Sequence, residues 1–139
     1  DWSSDVCSSD LHKDVVPRPA AAAVIFSPAA QGPPEILLAR RNKRLSFMGG
    51  HHVFPGGALD KEDHSGLVRG ARDEEMARAV FAAAREVFEE TGLLCVRGTP
   101  DLEALRGHRA CLLKRETTFA AILSELGATL DAEAFIPVS

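Results

Sequence analysis

Apolar positions along this 139-residue chain change character near residue 74. Before it they come in short runs punctuated by Gly and Pro; after it they recur every three or four residues. The run Ala20-Ala21-Ala22-Ala23-Val24-Ile25-Phe26, behind Pro17 and Pro19, predicts a buried strand, although Ala is a weak strand former. Gly32-Pro33-Pro34 breaks the pattern, and Glu35 to Arg40 predicts a second strand forming a hairpin with the first. Asn42 to His51, with Gly49-Gly50, reads as a loop, and His52-Val53-Phe54 as a short strand stopped by Pro55-Gly56-Gly57. Ala58 to Asp73 is polar and aperiodic and reads as a further loop. Met76, Ala77, Val80, Phe81, Ala84, Val87 and Phe88 then fall at helical spacing. They predict a helix over Glu74 to Glu90, capped by Asp73 and stopped at Gly92. Leu93 to Val96 reads as a short strand. Thr99-Pro100-Asp101, with Pro at the first helical position, opens a helix to about Leu113; another covers about Glu116 to Leu126 and ends at Gly127. Phe135 to Ser139 looks like the start of a strand. No repeat or low-complexity linker divides the chain, so one α/β domain is expected.

The helix over Glu74 to Glu90 carries the chemistry. Each helical residue advances about 100°, so with Glu86 at zero, Glu89 lies near roughly −60° and Glu90 near roughly +40°. Three carboxylates share one face, while Ala77, Val80, Phe81, Ala84 and Phe88 occupy the other. Like charges at this spacing repel, and anions near a helix C-terminus also oppose the dipole. A solvated acidic face is the ordinary explanation of a Glu-rich helix. A hard divalent cation, which takes carboxylate oxygens, would resolve the conflict directly.

Arg85-Glu86-Val87-Phe88-Glu89-Glu90-Thr91-Gly92-Leu93 resembles the second half of the Nudix box, Arg-Glu-U-x-Glu-Glu-x-Gly-U, where U is a bulky aliphatic residue. Five such fixed identities would arise by chance in roughly one chain of this length in 10⁴. Phe54-Pro55-Gly56-Gly57 resembles the loop that opens the same box, and the strand–loop–helix order agrees. The similarity runs from about Ala20 to Val96. One feature departs from the family pattern: the box places Arg fourteen residues after the second Gly, whereas Arg85 stands 28 after Gly57. Counted from Gly57, the family's first Glu falls at Asp63, a shorter acid, with Asp60 a second acidic candidate. This long insertion, with Phe47-Met48 and Gly49-Gly50-His51-His52 ahead of the Phe-Pro-Gly-Gly loop, resembles the branch of coenzyme A and acyl-CoA diphosphatases. That branch's signature wants an Arg where Ser46 stands, four positions before Gly50; Arg44 is two residues early.

The resemblance implies a Nudix-type α/β/α sandwich with a mixed sheet, here expected to be truncated at its C-terminus. It implies a Mg²⁺-dependent hydrolase, with Mn²⁺ as an alternative metal, cleaving the diphosphate bond of a nucleoside diphosphate linked to another moiety. CoA or acyl-CoA is the first substrate reading; ADP-ribose, a nucleotide sugar or a dinucleotide is the alternative, and a non-catalytic nucleotide-binding module the third. Glu89 and Glu90 are the implied principal metal ligands, completed by the Gly56 carbonyl, and Glu86 is implied as a further ligand or as the base acting on water. Arg85 would orient a carboxylate through its planar fork. The implied catalytic residues are thus Glu86, Glu89 and Arg85. Arg40, Arg41 and Arg44 could grip phosphates, with Gly57 and His52 as further substrate contacts. For His51 and His52 ordinary strand positions are the plainer reading, and for the basic cluster a solvated loop is the equal alternative.

Composition narrows the setting. Hydrophobic residues make up 45% and charged residues 26%, as in ordinary globular proteins, and a net charge of −4 with no dense basic stripe argues against a nucleic-acid surface. Cys7, Cys95 and Cys111 are too few and too scattered for a disulfide framework, which favours a reducing, cytoplasmic compartment, and Cys95 reads as a core residue. No apolar run reaches the 18 or so residues needed to span a membrane. The expected partner is a small nucleotide-type molecule, with neither nucleic acid nor membrane, and a homodimer is left open. Residues 1–11, DWSSDVCSSDL, resemble a translated sequencing adapter or else a disordered tail. The domain is therefore expected over 12–139, in partial form.

Overall fold

The computed structural model describes residues 16–27, 31–44, 49–98 and 100–138, so the expectations for residues 1–11, Ser46, Phe47, Met48 and Thr99 lie outside it. Its first half is built of antiparallel strand pairs. β1 (Ala20–Ala22) pairs with β6 (Gly56–Ala58), and β2 (Ile25–Ser27) pairs with β3 (Glu35–Leu37). β4 (Ala39–Arg40) pairs with β5 (His52–Val53). The expected hairpin is present between β2 and β3. The single strand expected over Ala20 to Phe26 is instead divided, because its two halves take different partners. The Ala run is what allows the first pairing: a Cβ on Gly56 would stand 2.7 Å from the Ala21 carbonyl oxygen and from the Ala22 Cα. Small residues on both strands let the backbones close. The strand is not buried as expected. Val24 and Phe26 are 54% and 61% exposed, since α1 lies against β1 and β6 and, among the described residues, β2 packs mainly on β3.

That helix is α1 (Glu74–Thr91), and its ends are as the sequence predicts, one residue apart at the C-terminus. The Asp73 side chain accepts a hydrogen bond from the Met76 N–H at 2.7 Å, satisfying one of the orphan donors of the first turn. Gly92 takes the left-handed conformation at φ 80°, where its N–H returns to the Phe88 carbonyl; that conformation is open to Gly and strained for other residues. α1 packs on β1 and β6 on one side and on α2 (Leu102–Leu113) and β7 (Val68–Arg69) on another. This two-sided cover buries Ala82 and Ala83 as well as the predicted stripe, while Met76 stays half-buried.

The remaining elements close the core. α2 (Leu102–Leu113) starts after Asp101, whose carboxylate accepts from the Glu103 N–H, so Pro100 stands ahead of the cap and not inside the helix. α3 (Phe119–Glu125) starts after Thr118, whose hydroxyl accepts from the Ala121 N–H. Glu116 and Thr117, expected inside this helix, lie in the turn before it. Phe119 from α3 meets Phe81 edge-on at 5.3 Å between ring centroids and Phe88 at 5.8 Å, with all three rings buried. Such pairs add about 0.5–1.5 kcal/mol each beyond the area they bury.

Three further expectations are corrected, one about a loop and two about strands. Ala58 to Asp73 is not featureless: it holds a 3-10 turn at Ser65–Leu67 and then β7 (Val68–Arg69), which pairs in parallel with β8 (Leu130–Asp131). A two-residue strand whose partner lies some sixty residues away leaves no periodic trace. Leu93 to Val96 is not a strand; Leu94, Cys95 and Val96 pack against the core instead, and the Val96 N–H bonds the Leu94 carbonyl. Phe135 to Val138 forms no strand. With antiparallel and parallel pairs and packed helices, the chain has the expected mixed α/β architecture.

Candidate active site on the acidic helix

Arg85 is the centre of the site. Its Nε donates to Asp63 Oδ1 at 2.8 Å and one terminal nitrogen reaches Asp63 Oδ2 at 3.4 Å. That same nitrogen donates to the Ala58 carbonyl at 3.2 Å, and the other donates to Glu86 Oε1 at 2.8 Å and Glu89 Oε1 at 3.4 Å. One planar guanidinium thus ties the loop after β6 to two carboxylates of α1. Burial by itself would lower the Arg85 pKa; the hydrogen bond and charge of Asp63, then those of Glu86, outweigh it and hold the group above its ordinary value.

Asp63 is the buried partner. It is 5% exposed, and no other polar or charged residue is buried among those described. Its second oxygen also accepts from the Asp60 N–H at 2.6 Å. The acid reached by counting from Gly57 therefore serves Arg85. Asp60 shapes the same loop: its side chain accepts from the Lys61 N–H, and its carbonyl accepts from Arg78.

Gly56 and Gly57 bring the β6 backbone against these groups. A Cβ on Gly57 would overlap the Glu86 carboxylate, 2.6 Å from its Cδ, so only Gly allows this approach. The bonds Ala23 N–H to Pro55 O and Leu59 N–H to Pro19 O set the phase of the β1–β6 ladder. By that phase the Gly56 and Ala58 carbonyls both point away from β1, on the edge where Arg85 reaches Ala58.

Glu89 and Glu90 feel the crowding. Burial is the largest influence on Glu89 and pushes its carboxyl up; Arg85 opposes this and the Glu86 charge adds to it. For Glu90, burial and then Glu86 push up, while Arg41 pulls down. Arg41 therefore lies near the end of the acidic helix, and its Nε is buried with no hydrogen-bond partner among the described residues. Its backbone is fixed by pairing with His51 and Gly50. Arg40 instead turns to the Gly50 carbonyl at 3.4 Å, and the Arg44 side chain is exposed; neither touches the carboxylates among the described contacts. His52 is an exposed strand residue opposite Arg40, and His51 is exposed too.

The C-terminus of α1 has a support that the sequence reading missed. Arg109 of α2 donates to the Phe88 carbonyl at 3.1 Å, to the Glu89 carbonyl at 2.9 and 2.6 Å, and to the Glu90 carbonyl at 3.3 Å. A cation at this end offsets the helix dipole where it opposes the two glutamates. No motif marks Arg109; only the packing of α2 brings it there.

Among the described residues no group of three or more His, Cys, Asp and Glu side chains stands placed to hold a metal ion. Glu86 and Glu89 both turn toward Arg85, which donates to each. The donor set still suits Mg²⁺, which binds through one or two carboxylates, keeps several waters and takes oxygen ligands only. Hard carboxylates on the helix and the Gly56 carbonyl of β6 are what the site offers.

A family model of the NUDIX domain matches residues 16–123. A NUDIX hydrolase from Alicyclobacillus acidocaldarius, known from its crystal structure, is similar in sequence and shape: 32% identity, a TM-score of 0.68, and cover of 83% of this chain. This chain spans 57% of that protein's length. Comparison with curated proteins gives no match. With its box residues gathered around Arg85 and the family matched over most of its length, the chain belongs to the Nudix domain family.

Proposed function

We propose that this domain hydrolyses the diphosphate bond of a nucleoside diphosphate linked to another moiety, with Mg²⁺ or Mn²⁺ as the required metal. The observation that carries the reading is the Arg85 junction, which fixes Glu86 and Glu89 beside the Gly56–Gly57 backbone. A solvated acidic face needs no buried Asp63 to hold its arginine. Bound metal would neutralise the diphosphate and lower the pKa of a water ligand. Glu86, Glu89, Glu90 and the Gly56 carbonyl would hold it.

The chain's own groups then divide the work. Arg85 sets the direction of two carboxylates through one rigid fork. Glu86 takes the proton of the attacking water. Arg41 supplies positive charge at the Glu90 end of the helix, where a buried guanidinium nitrogen without a partner suits a phosphate oxygen. In this reading Arg41 is the phosphate-gripping member of the basic cluster, and Arg40, Arg44, Gly57 and His52 complete the substrate surround. Arg109 holds the last turn of α1 against the charge it carries. Among the described residues no helix is long and apolar enough to cross a membrane, and the free thiols of Cys95 and Cys111 accord with a reducing, cytoplasmic setting.

The test is hydrolysis with Mg²⁺ of a panel containing CoA, an acyl-CoA, ADP-ribose, a nucleotide sugar and NADH. Glu89→Gln, a near-isosteric change, should abolish turnover while the circular dichroism spectrum and urea midpoint stay near the parent's. Equal rates in parent and variant would refute the assignment of Glu89, and no turnover of any compound across a range of metal concentrations would refute the hydrolase.

A further inference from the structure

The strands of the first half alternate in burial with a period of two. Ala21, Ala23, Ile25, Leu37, Ala39 and Val53 are half-buried, and the residues between them are exposed. An antiparallel sheet with one wet face carries polar side chains on that face. Here the exposed positions include Val24, Phe26, Ile36, Leu38 and Phe54, each 43% to 61% exposed. The outward side is thus bulkier and no less apolar than the inward side, where Ala recurs.

The strand registers gather these five residues. Phe26 stands opposite Ile36, and one further step of the same register puts Val24 opposite Leu38. The β4–β5 register, continued one step from Ala39 and Val53, brings Phe54 opposite Leu38 as well. Cross-strand partners share a face, so the five side chains form one patch with Leu38 where the two registers meet. Their exposed parts come to roughly 400–500 Å² together, at the upper end of what a monomer carries. The two ends of the patch differ in charge. Arg40 and His52, paired across β4 and β5, follow it at one end, and Glu35 stands next to Ile36 at the hairpin end. All three are exposed.

We propose that this face is a two-fold interface between two copies of this chain. A two-fold contact needs a patch that complements itself. With the axis near the Val24–Leu38 pair, Phe26 and Ile36 of one copy lie over Phe54 of the other. The same rotation lays the Arg40–His52 end of each copy over the Glu35 end of its partner. Two such patches bring about 1,000 Å² of surface together, the size at which specific interfaces begin. The pairing goes beyond the hydrolysis proposed above and does not depend on it.

The experiment is analytical ultracentrifugation of the full chain from about 1 to 100 μM, where a dimer with a dissociation constant in the micromolar range is expected. Phe26→Ser with Ile36→Thr should raise that constant at least about thirtyfold, as loss of a central apolar anchor does. Both side chains are exposed, so the circular dichroism spectrum and urea midpoint should stay near the parent's. Phe54→Ser, at the other end of the face, should weaken the dimer independently. Leu102→Ser changes an exposed apolar residue of α2 and should leave the constant unchanged. A monomer throughout the range overturns the proposal, as does a monomer that binds an apolar dye through Phe26 and Ile36 without pairing. Growth beyond the dimer overturns it too, because a two-fold contact closes on itself. Equal weakening by Leu102→Ser and by the Phe26 variant would show unspecific apolar association and refute the assigned face.

Discussion

Replacing Asp63 by Asn isolates the bond on which the site depends. The change keeps the shape of the side chain and removes its charge. Asp63 accepts from Arg85 Nε at 2.8 Å and, through the other oxygen, from the Asp60 N–H at 2.6 Å and Arg85 again at 3.4 Å. An amide offers one acceptor oxygen, so its NH2 must face either Arg85 or the Asp60 N–H, donor against donor. The Asp63 side chain is 1% exposed and that of Arg85 is 14%, so water cannot readily replace the lost partner. Breaking a buried ion pair costs about 3–5 kcal/mol. Arg85 keeps Glu86 and Glu89, which places the expected loss at the lower end, about 3 kcal/mol. Urea unfolding at pH 7 measures it as a fall in midpoint at unchanged slope. Asp63→Asn with Arg85→Met removes both charges, so the double variant should be more stable than the sum of the single losses predicts. A loss below about 1 kcal/mol in Asp63→Asn, the value typical of exposed pairs, would refute the claim that this is a buried junction.

Other outcomes follow from the same geometry. Gly56→Ala should destabilise the fold by about 1–3 kcal/mol, because the new Cβ meets β1 backbone, and the urea midpoint reads this. Gly57→Ala meets only the end of the Glu86 side chain, so it should cost under about 1 kcal/mol but displace that carboxylate and cut turnover at least tenfold. Arg109→Met keeps the apolar stem and deletes the carbonyl contacts; a stability loss of about 2 kcal/mol and weaker Mg²⁺ dependence of activity are expected, with Arg109→Lys between variant and parent. The Asp131 carboxyl is held below its ordinary value, first by the Arg97 hydrogen bond. A depressed acid contributes stability above its unfolded pKa and loses it as pH falls through the lower folded value. The small stability gap between parent and Arg97→Ala should therefore be present at pH 6 and shrink below about pH 4; a gap constant across that range would contradict the pairing.

The acidic helix was legible because its signals are local. The apolar spacing of Val80, Phe81, Ala84, Val87 and Phe88, the Asp73 cap and the Gly92 stop all lie within one segment and all point the same way. The placement of Glu86, Glu89 and Glu90 on one face then follows from helix geometry alone. The Phe-Pro-Gly-Gly loop was legible as a motif, and the structure supplies its reason: Gly56 clears β1 and Gly57 clears Glu86.

What the sequence could not order was everything joined across long separations. Counting places the family's first Glu at Asp63; packing makes that acid the buried partner of Arg85, 22 residues away. The short parallel pair of β7 and β8 carries too few residues to show a period, and its two strands lie some sixty residues apart along the chain. The three arginines of the basic cluster look alike in sequence, and only the path of the chain through Gly50 and His51 brings Arg41 toward Glu90. Arg109 likewise reaches the end of the acidic helix only because of how α2 lies on α1. Local patterning determined the helix and the carboxylates it carries. Tertiary contact decided which neighbours hold them in place and what can lie beside them, because those partners are chosen by folded distance and not by position along the chain.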